Sequence, residues 1–315
     1  MMPNVNVVIR SVGERTENAC VRVVQSQISP ESRVHIIRDR PFADAHIDSV
    51  RWATATDGAW SLFLDADVLL RRDAIAQMLR EAESISTPFY MLNFRVLDRG
   101  FGGPAYGVHL YSTRHLHTAL QFADMARDDQ RPESRMVREM AKRERVPSLS
   151  SATIAGIHGY EQSYRDVYRT AFVRAVKFRR HHNYFLRLYR THYSDWEHDH
   201  DYQVMLWGLL DGTIYGLDHQ KAPLESGFYQ DKAGQVLSML SIAEKKPYVL
   251  DQDELERIVD EHVSDEWYNS YQHRICPSAP IIAAVPDRSF TTRVRRSLIS
   301  VGRRAKRVIN VAVYG

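Results

Sequence analysis

Short apolar runs alternate with longer stretches of helical periodicity through the first half of the chain. The runs are rich in Val, Ile, Leu and Phe and predict buried strands at about residues 5–9, 33–38, 62–70 and 89–96. The stretches between them predict helices at about residues 16–27, 43–56 and 72–84. This alternation predicts an α/β fold: a largely parallel sheet with helices on both faces and a ligand site beyond the carboxyl ends of its strands.

The second half of the chain is predicted to be mainly helical. Before it, a loop at 99–104 precedes a strand at 106–112, charged residues 133–143 predict a helix, and a strand at 152–157 leads to His158. A long amphipathic helix begins near Gln162. Three prolines between residues 277 and 286 predict a linker. The predicted regions are therefore residues 1–160, 161–276 and 277–315.

Two aspartates, Asp65 and Asp67, interrupt the third apolar run one residue apart. Strand side chains alternate between faces, so the two carboxylates are predicted to lie on the same side at the end of a buried strand. Like charges so close repel each other, and a divalent cation held between them removes the conflict. We therefore interpret the pair as a metal–diphosphate site. The alternative is that the two carboxylates only cap the strand and the helix after it.

The net charge of +3 hides a strongly basic tail. After Asp287 there are eight Arg and Lys and no acid, so the rest of the chain has 34 bases, 42 less eight, against 39 acids. Apolar residues of the tail line one stripe of a predicted helix; they are Val294, Leu298, Val301, Ala305, Val308 and Ala312. A basic amphipathic helix of this kind lies on an anionic membrane, packs back on the body or contacts nucleic acid, and we favour the first two.

Apart from the charge, the composition excludes several classes of protein but does not assign a function. The two cysteines, Cys20 and Cys276, are too few for a disulfide framework or a thiolate zinc site and are typical of a reducing compartment. No uncharged apolar stretch reaches about 18 residues, so neither a signal peptide nor a membrane-spanning helix is expected. The sequence predicts a cytoplasmic protein whose tail is available for peripheral contact with an anionic membrane.

The order of the motifs resembles that of GT-A-fold glycosyltransferases, most closely the large inverting family (family 2-like) that uses nucleotide-diphosphate sugars. The resemblance covers about residues 5–160, roughly half of the chain. It rests on Val7–Ser11, on Ala53–Trp60 leading into the DxD motif Asp65-Ala66-Asp67, and on Glu133 followed by a helix and then Gly156-Ile157-His158-Gly159. It implies a GT-A catalytic domain over residues 1–160, with the helical region 161–276 on the acceptor side.

The resemblance also implies roles for individual residues. Arg10 and Ser11 fall in the nucleotide-contacting turn, and Asp39 falls where the family has an acid facing the base or the ribose. Asp67 is the first metal ligand, Asp65 lies nearer the ribose and supports the metal, and His158 supplies a nitrogen. A nitrogen ligand suits Mn²⁺ better than Mg²⁺.

The same resemblance makes Glu133 the candidate general base for a hexosyl or pentosyl transfer. The donor is a nucleotide-diphosphate sugar. The acceptor is open and is a glycan, a lipid, a protein or a modified nucleic acid.

Less specific interpretations stand beside these. His158 alone is equally well a structural histidine, and Glu133 alone is better explained by a solvated helix face. The bases between residues 165 and 180 are interpreted as a solvent-facing side of the long helix, and residues 192–201 as a polar loop rather than a second metal site. Two other functions remain open, a sugar-phosphate nucleotidyltransferase and a nucleic-acid-binding protein that uses its basic helices. Against the former, the turn at residues 11–14 is poor in glycine for a phosphate loop.

Overall fold

The structure is a computed structural model that describes residues 4–100, 103–126, 132–177, 198–219, 222–223, 226–246, 251–262 and 276–277. These residues belong to one compact unit, Met1–Ala279. Apart from Pro277, the linker and tail predicted at 277–315 lie outside the described residues, as do residues 192–197 of the histidine-rich run.

Eight strands of the described chain form a single sheet. They are β1 Asn6–Ser11, β2 Val34–Arg38, β3 Trp60–Asp65, β4 Val68–Leu70, β5 Met91–Asp98, β6 Gly103–Ser112, β7 Ser148–His158 and β8 Cys276–Pro277. Their order is β2-β1-β3-β6-β5-β7-β4, with β8 also paired to β7. Strands β2, β1, β3, β5 and β7 run the same way, whereas β6, β4 and β8 are antiparallel to their neighbours.

Helices follow or separate the strands as the periodicity indicates. They are α1 Glu17–Gln25, α2 Phe42–Thr54, α3 Ala74–Ser84, α4 Thr113–Leu120, α5 Ala123–Ala126, α6 Pro132–Glu139, α7 Tyr164–Lys177, α8 His200–Asp218, α9 Ser226–Leu240 and α10 Gln252–His262. A π-helical turn, Met140–Glu144, continues α6. The predicted fold class, a mostly parallel α/β sheet followed by a helical region, is confirmed. The sequence prediction missed α4 and α5, and β6 begins inside the predicted loop.

The sheet is covered on both faces, as β1 illustrates. Val7 and Ile9 point to a cluster that includes residues of α1 and α3, while Val8 points to a second cluster with residues of α2, α4 and α6. A strand buried on both faces carries a continuous apolar run rather than an alternating one, which is the pattern of residues 5–9. In the described part of the chain, no helix is long and apolar enough to span a bilayer.

Glycines allow α8 to pack very closely against α7. A Cβ atom at Gly208 would lie 2.5 Å from the Tyr168 carbonyl oxygen, and one at Gly212 would lie 2.4 Å from that of Phe172. Both positions face backbone atoms, which have no rotamer by which to move away. Gly208 and Gly212 therefore set the short distance between α7 and α8.

We expect Gly212→Ala to destabilise the protein by about 1–3 kcal/mol, because the added methyl group forces α7 and α8 apart. Gly234→Ala, in α9, is the matched control: nothing lies within 4 Å of an added Cβ there. Removing a glycine from the middle of an exposed helix raises stability by up to about 1 kcal/mol. Denaturant unfolding of both variants measures the difference, and a Gly212→Ala variant as stable as the parent would contradict this account of the packing.

Candidate active site

The carboxyl ends of four parallel strands meet at one edge of the sheet. There β1 ends at Ser11, β3 at Asp65, β5 at Asp98 and β7 at His158. Helix α7 reaches the same edge, because Arg165 donates to the carbonyl oxygen of Gly13 and Arg174 binds Asp98. This edge is where open α/β sheets bind their ligands.

A cluster of four charged side chains, the buried Asp98 and the partly buried Asp67, His158 and Arg174, forms the centre of this edge; we call it the His158 cluster. His158 Nδ1 donates to Asp98 Oδ2 at 2.7 Å, and His158 Nε2 lies 3.3 Å from Asp67 Oδ2. Arg174 donates hydrogen bonds to both carboxylate oxygens of Asp98, at 3.0 and 2.6 Å. The amide of Gly159 donates to the Asp67 carbonyl, which ties the Asp67 turn to the end of β7.

The two carboxylates decide the charge of His158. Burial alone lowers the pKa of a histidine, but Asp67 and Asp98 outweigh it and raise the pKa of His158 to about 10. Burial likewise opposes ionisation of the two acids, yet His158 and the nearby arginines hold the pKa of Asp67 and of Asp98 below their usual values. At neutral pH the His158 imidazolium and the Arg174 guanidinium together balance the charges of the two carboxylates.

The His158 cluster offers a divalent metal two ligands of suitable chemistry. Asp67 Oδ1 is buried and accepts no hydrogen bond from the described residues. His158 Nε2 becomes a nitrogen ligand once it loses its proton, and Asp98 on Nδ1 fixes the ring orientation in the way that second carboxylates orient metal-binding histidines. A carboxylate oxygen with an imidazole nitrogen suits Mn²⁺.

Within the described residues, no group of three His, Cys, Asp or Glu side chains is gathered to hold a metal. Asp67 and His158 are thus two candidate ligands, and further ligands of a metal would come from bound ligand or water.

Asp65 forms an ion pair with a different side chain from the one that Asp67 contacts. The prediction that Asp65 and Asp67 share one strand is wrong, because β3 ends at Asp65 and residues 66–67 form a turn before β4. Asp65 Oδ1 lies 2.8 Å from Arg10 Nη2, and its side chain is 39% exposed. The structure thus pairs Asp65 with Arg10 and Asp67 with His158.

Arg10 is buried and contacts His46, which is also buried, and Phe42, which is exposed. Its Nη1 atom is 3.4 Å from His46 Nδ1, and its guanidinium stacks 4.9 Å from the centre of the Phe42 ring. Burial lowers the pKa of His46 to about 3, so this ring is neutral. Because a guanidinium only donates, His46 Nδ1 accepts, and the buried Nε2, which has no hydrogen-bond partner among the described residues, carries the proton.

The other two residues predicted to contact the nucleotide lie on the rim of the same edge. Ser11 is buried, and its hydroxyl donates to Glu14. Asp39 is exposed, adopts a left-handed backbone with φ of 53°, and donates its amide to the carbonyl oxygen of Ser11. Ser11 and Asp39 are thus neighbours at the carboxyl ends of β1 and β2.

Glu133 is not on a solvated helix face. It lies in the first turn of α6, and its Oε2 atom is buried with no hydrogen-bond partner among the described residues. Burial favours the neutral acid, but the positive charges of Lys177 and Arg10 outweigh it and lower the pKa of Glu133 below its usual value. An ionised carboxylate with an unused buried oxygen is able to accept a proton or a hydroxyl hydrogen bond.

The sequence analysis missed two contributors to this edge. The first is Asp98, which lies two residues beyond the predicted strand 89–96, where a carboxylate at the end of a parallel strand signals a ligand site. The second is the cationic side of α7, whose interpretation as a solvent face is wrong. Its side chains bind the site edge through Gly13, Glu14, Asp98 and Phe42; they are Arg165, Arg169, Arg174 and Lys177.

Comparison with known proteins leaves the family open. No protein-family model and no curated protein matches the chain. Two solved structures show a distant likeness. One is a glycosyltransferase involved in the glycosylation of the major capsid of PBCV-1, with a TM-score of 0.33, 14% identity, and coverage of 47% of this chain and 81% of that one. The other is the mannosyltransferase PcManGT from Pyrobaculum calidifontis in complex with GDP-Man and Mn²⁺, with a TM-score of 0.33, 10% identity, and coverage of 86% and 84%. Likenesses this distant do not assign a function.

Proposed function

We propose that this protein is a metal-dependent glycosyltransferase that moves a sugar from a nucleotide-diphosphate sugar to an acceptor hydroxyl. The observation that supports the proposal most is the contact between Asp67 and His158. These residues are remote in sequence, yet they meet at the carboxyl edge of a mostly parallel sheet. The buried Asp67 oxygen, which has no hydrogen-bond partner in the described part of the chain, and the Asp98 carboxylate on His158 Nδ1 give the pair the character of a metal site.

The proposed roles follow the positions of the side chains. Asp67 and His158 hold Mn²⁺ or Mg²⁺, which when bound neutralises the charge of the departing diphosphate. Arg10, Ser11 and Asp39 contact the nucleotide along the rim, with Asp65 near the ribose and fixed by Arg10. Glu133 removes the proton from the acceptor hydroxyl while the hydroxyl oxygen attacks the anomeric carbon of the donor sugar. The bond from that carbon to the diphosphate breaks at the same time. A single displacement of this kind inverts the anomeric configuration.

A binding screen tests the proposal directly. Bound ligand raises the apparent stability of the native state, so thermal shifts with a panel of nucleotide sugars, with and without Mn²⁺, identify the donor. We expect at least one nucleotide sugar to stabilise the protein more in the presence of Mn²⁺ than in its absence. If calorimetry and thermal shift find no metal-assisted binding of any activated sugar, the proposed function is wrong.

We expect Mn²⁺ binding to release about one proton per ion at pH 7, because His158 is protonated there and must lose its Nε2 proton to become a ligand. Metal affinity should then rise by up to about tenfold per pH unit between pH 6.5 and 8. Titration calorimetry in buffers of different ionisation enthalpy counts the protons. Affinity that is independent of pH, with no proton released, would exclude His158 as a ligand.

A further inference from the structure

The turn after β1 is closed by a carboxylate from its own chain. Glu14 Oε2 accepts hydrogen bonds from the amide of Val12 at 2.7 Å and from the hydroxyl of Ser11 at 3.0 Å. Glu14 Oε1 accepts from Arg169 Nη2 of α7 at 3.0 Å. The Glu14 side chain is only 7% exposed.

The surroundings of Glu14 do not favour a carboxylate. Burial raises its pKa, and the negative charge of Asp67 raises it further, while Arg169 opposes both. The ionised form thus depends on three donors: a backbone amide, a hydroxyl and a guanidinium. Donors of these kinds, converging from a tight turn and an arginine, bind phosphate oxygens in proteins.

The geometry of the turn and of α7 keeps these donors together without Glu14. Gly13 has φ of +84°, which lets the chain turn so that the Val12 amide points inward. Arg165, one turn of helix before Arg169, donates to the carbonyl oxygen of Gly13 at 3.1 Å. The turn and the helix are therefore held to each other by a contact that does not involve Glu14. Arg169 Nε is buried and has no hydrogen-bond partner among the described residues, so the guanidinium has a further donor.

We propose that Ser11, Val12 and Arg169 form an anion pocket for a phosphate group of the donor diphosphate, and that the Glu14 carboxylate fills this pocket until phosphate replaces it. The inference rests on the proposed function, because it names the part of the donor that lies beside the Asp67–His158 pair. Replacement exchanges one anion for another, so each donor keeps an acceptor, and the displaced carboxylate is free to turn toward water. If Glu14 instead only braces the turn, its removal leaves anion binding unchanged.

The test is direct binding of inorganic diphosphate to the full chain without metal, measured by calorimetry. Glu14→Gln keeps the shape but removes the competing charge, and we expect diphosphate to bind roughly fivefold tighter. Arg169→Gln removes a charged donor, and we expect binding at least about tenfold weaker.

The matched controls are Glu83→Gln and Arg80→Gln in α3, two exposed side chains remote from the turn, and both should bind like the parent. Arg169→Lys replaces Arg169→Gln if the latter does not fold. The Arg169→Lys variant retains the positive charge but not the planar set of N–H donors of the guanidinium, so it should bind diphosphate more weakly than the parent. If either Glu14→Gln or the Arg169 variant binds diphosphate with the parent's affinity, the pocket is overturned.

Two further arms separate the source of the diphosphate and the two proposals. A nucleoside diphosphate should bind more tightly than farnesyl diphosphate, and the reverse order would overturn a nucleotide donor in this pocket. Failure of the pocket alone leaves metal-assisted binding of a nucleotide sugar intact while the Glu14 and Arg169 variants bind diphosphate normally. Failure of the proposed function alone gives the opposite result: the variants change diphosphate affinity, and no nucleotide sugar binds with Mn²⁺.

Discussion

Asp67→Asn should lower metal-dependent turnover of the donor sugar by about a thousandfold. Asp67 supplies the only negative charge in the proposed ligand pair, and asparagine fills the same volume without it. A metal that stabilises the departing diphosphate contributes several kcal/mol to the transition state, and each 1.36 kcal/mol is tenfold in rate. Mn²⁺-dependent release of the nucleoside diphosphate measures the loss, with titration of Mn²⁺ to show weaker binding.

The matched control for this substitution is Asp73→Asn. Asp73 is exposed, precedes α3, and has a left-handed backbone, φ 58°, that asparagine tolerates as well. It should keep the activity of the parent. Full metal-dependent turnover by a folded Asp67→Asn protein would remove Asp67 from the metal site.

Glu133→Gln should reduce kcat by about 10² to 10⁴, the range that a positioned general base contributes. The amide keeps the buried position at the start of α6 but is unable to accept the proton of the acceptor hydroxyl. Because the lowered pKa keeps Glu133 ionised at neutral pH, the base is available across the neutral range, and at saturating Mn²⁺ the parent should lose activity only as the pH falls toward the pKa of Glu133. Steady-state kinetics at saturating acceptor separate a fall in kcat from a change in KM.

Glu144→Gln provides the control, since Glu144 is exposed at the end of the π-helical turn that follows α6. The anomeric configuration of the product is a second measurement. We expect inversion by NMR. Retention of configuration, or an unchanged kcat in Glu133→Gln, would show that Glu133 is not the base.

The apolar pattern predicted three of the four strand ends that meet at the site edge and missed Asp98 at the end of β5. Parallel strands bring their carboxyl ends to one edge, so β1, β3 and β7 place Ser11, Asp65 and His158 there regardless of details. Strand alternation failed at Asp67, because β4 leaves the line of β3 to pair with β7 through Val68 and His158. Such a pairing depends on a partner far along the chain, and local periodicity carries no information about it.

Side-chain direction on α7 was equally beyond the local pattern. The apolar positions correctly predicted a helix, but a helix packed on two surfaces has no single solvent face. Arg165 and Arg169 contact the β1 turn and Arg174 contacts Asp98, while Tyr168 and Phe172 of the same helix pack against glycines of α8. The position of α8 depends on tertiary packing, and the charge pattern of α7 carries no information about it.

The glycine contacts of α8 have an implication for engineering. Gly208 packs against Tyr168, and Gly212 packs against Phe172. These two aromatic residues alternate along α7 with Arg169 and Arg174. Grafting a foreign segment after residue 177 would therefore change the packing of α7 and displace its guanidinium groups. A chimaera made to test the proposed acceptor role of the helical region should keep residues 164–218 of this chain as one block, so that Arg165, Arg169 and Arg174 stay at the proposed donor site.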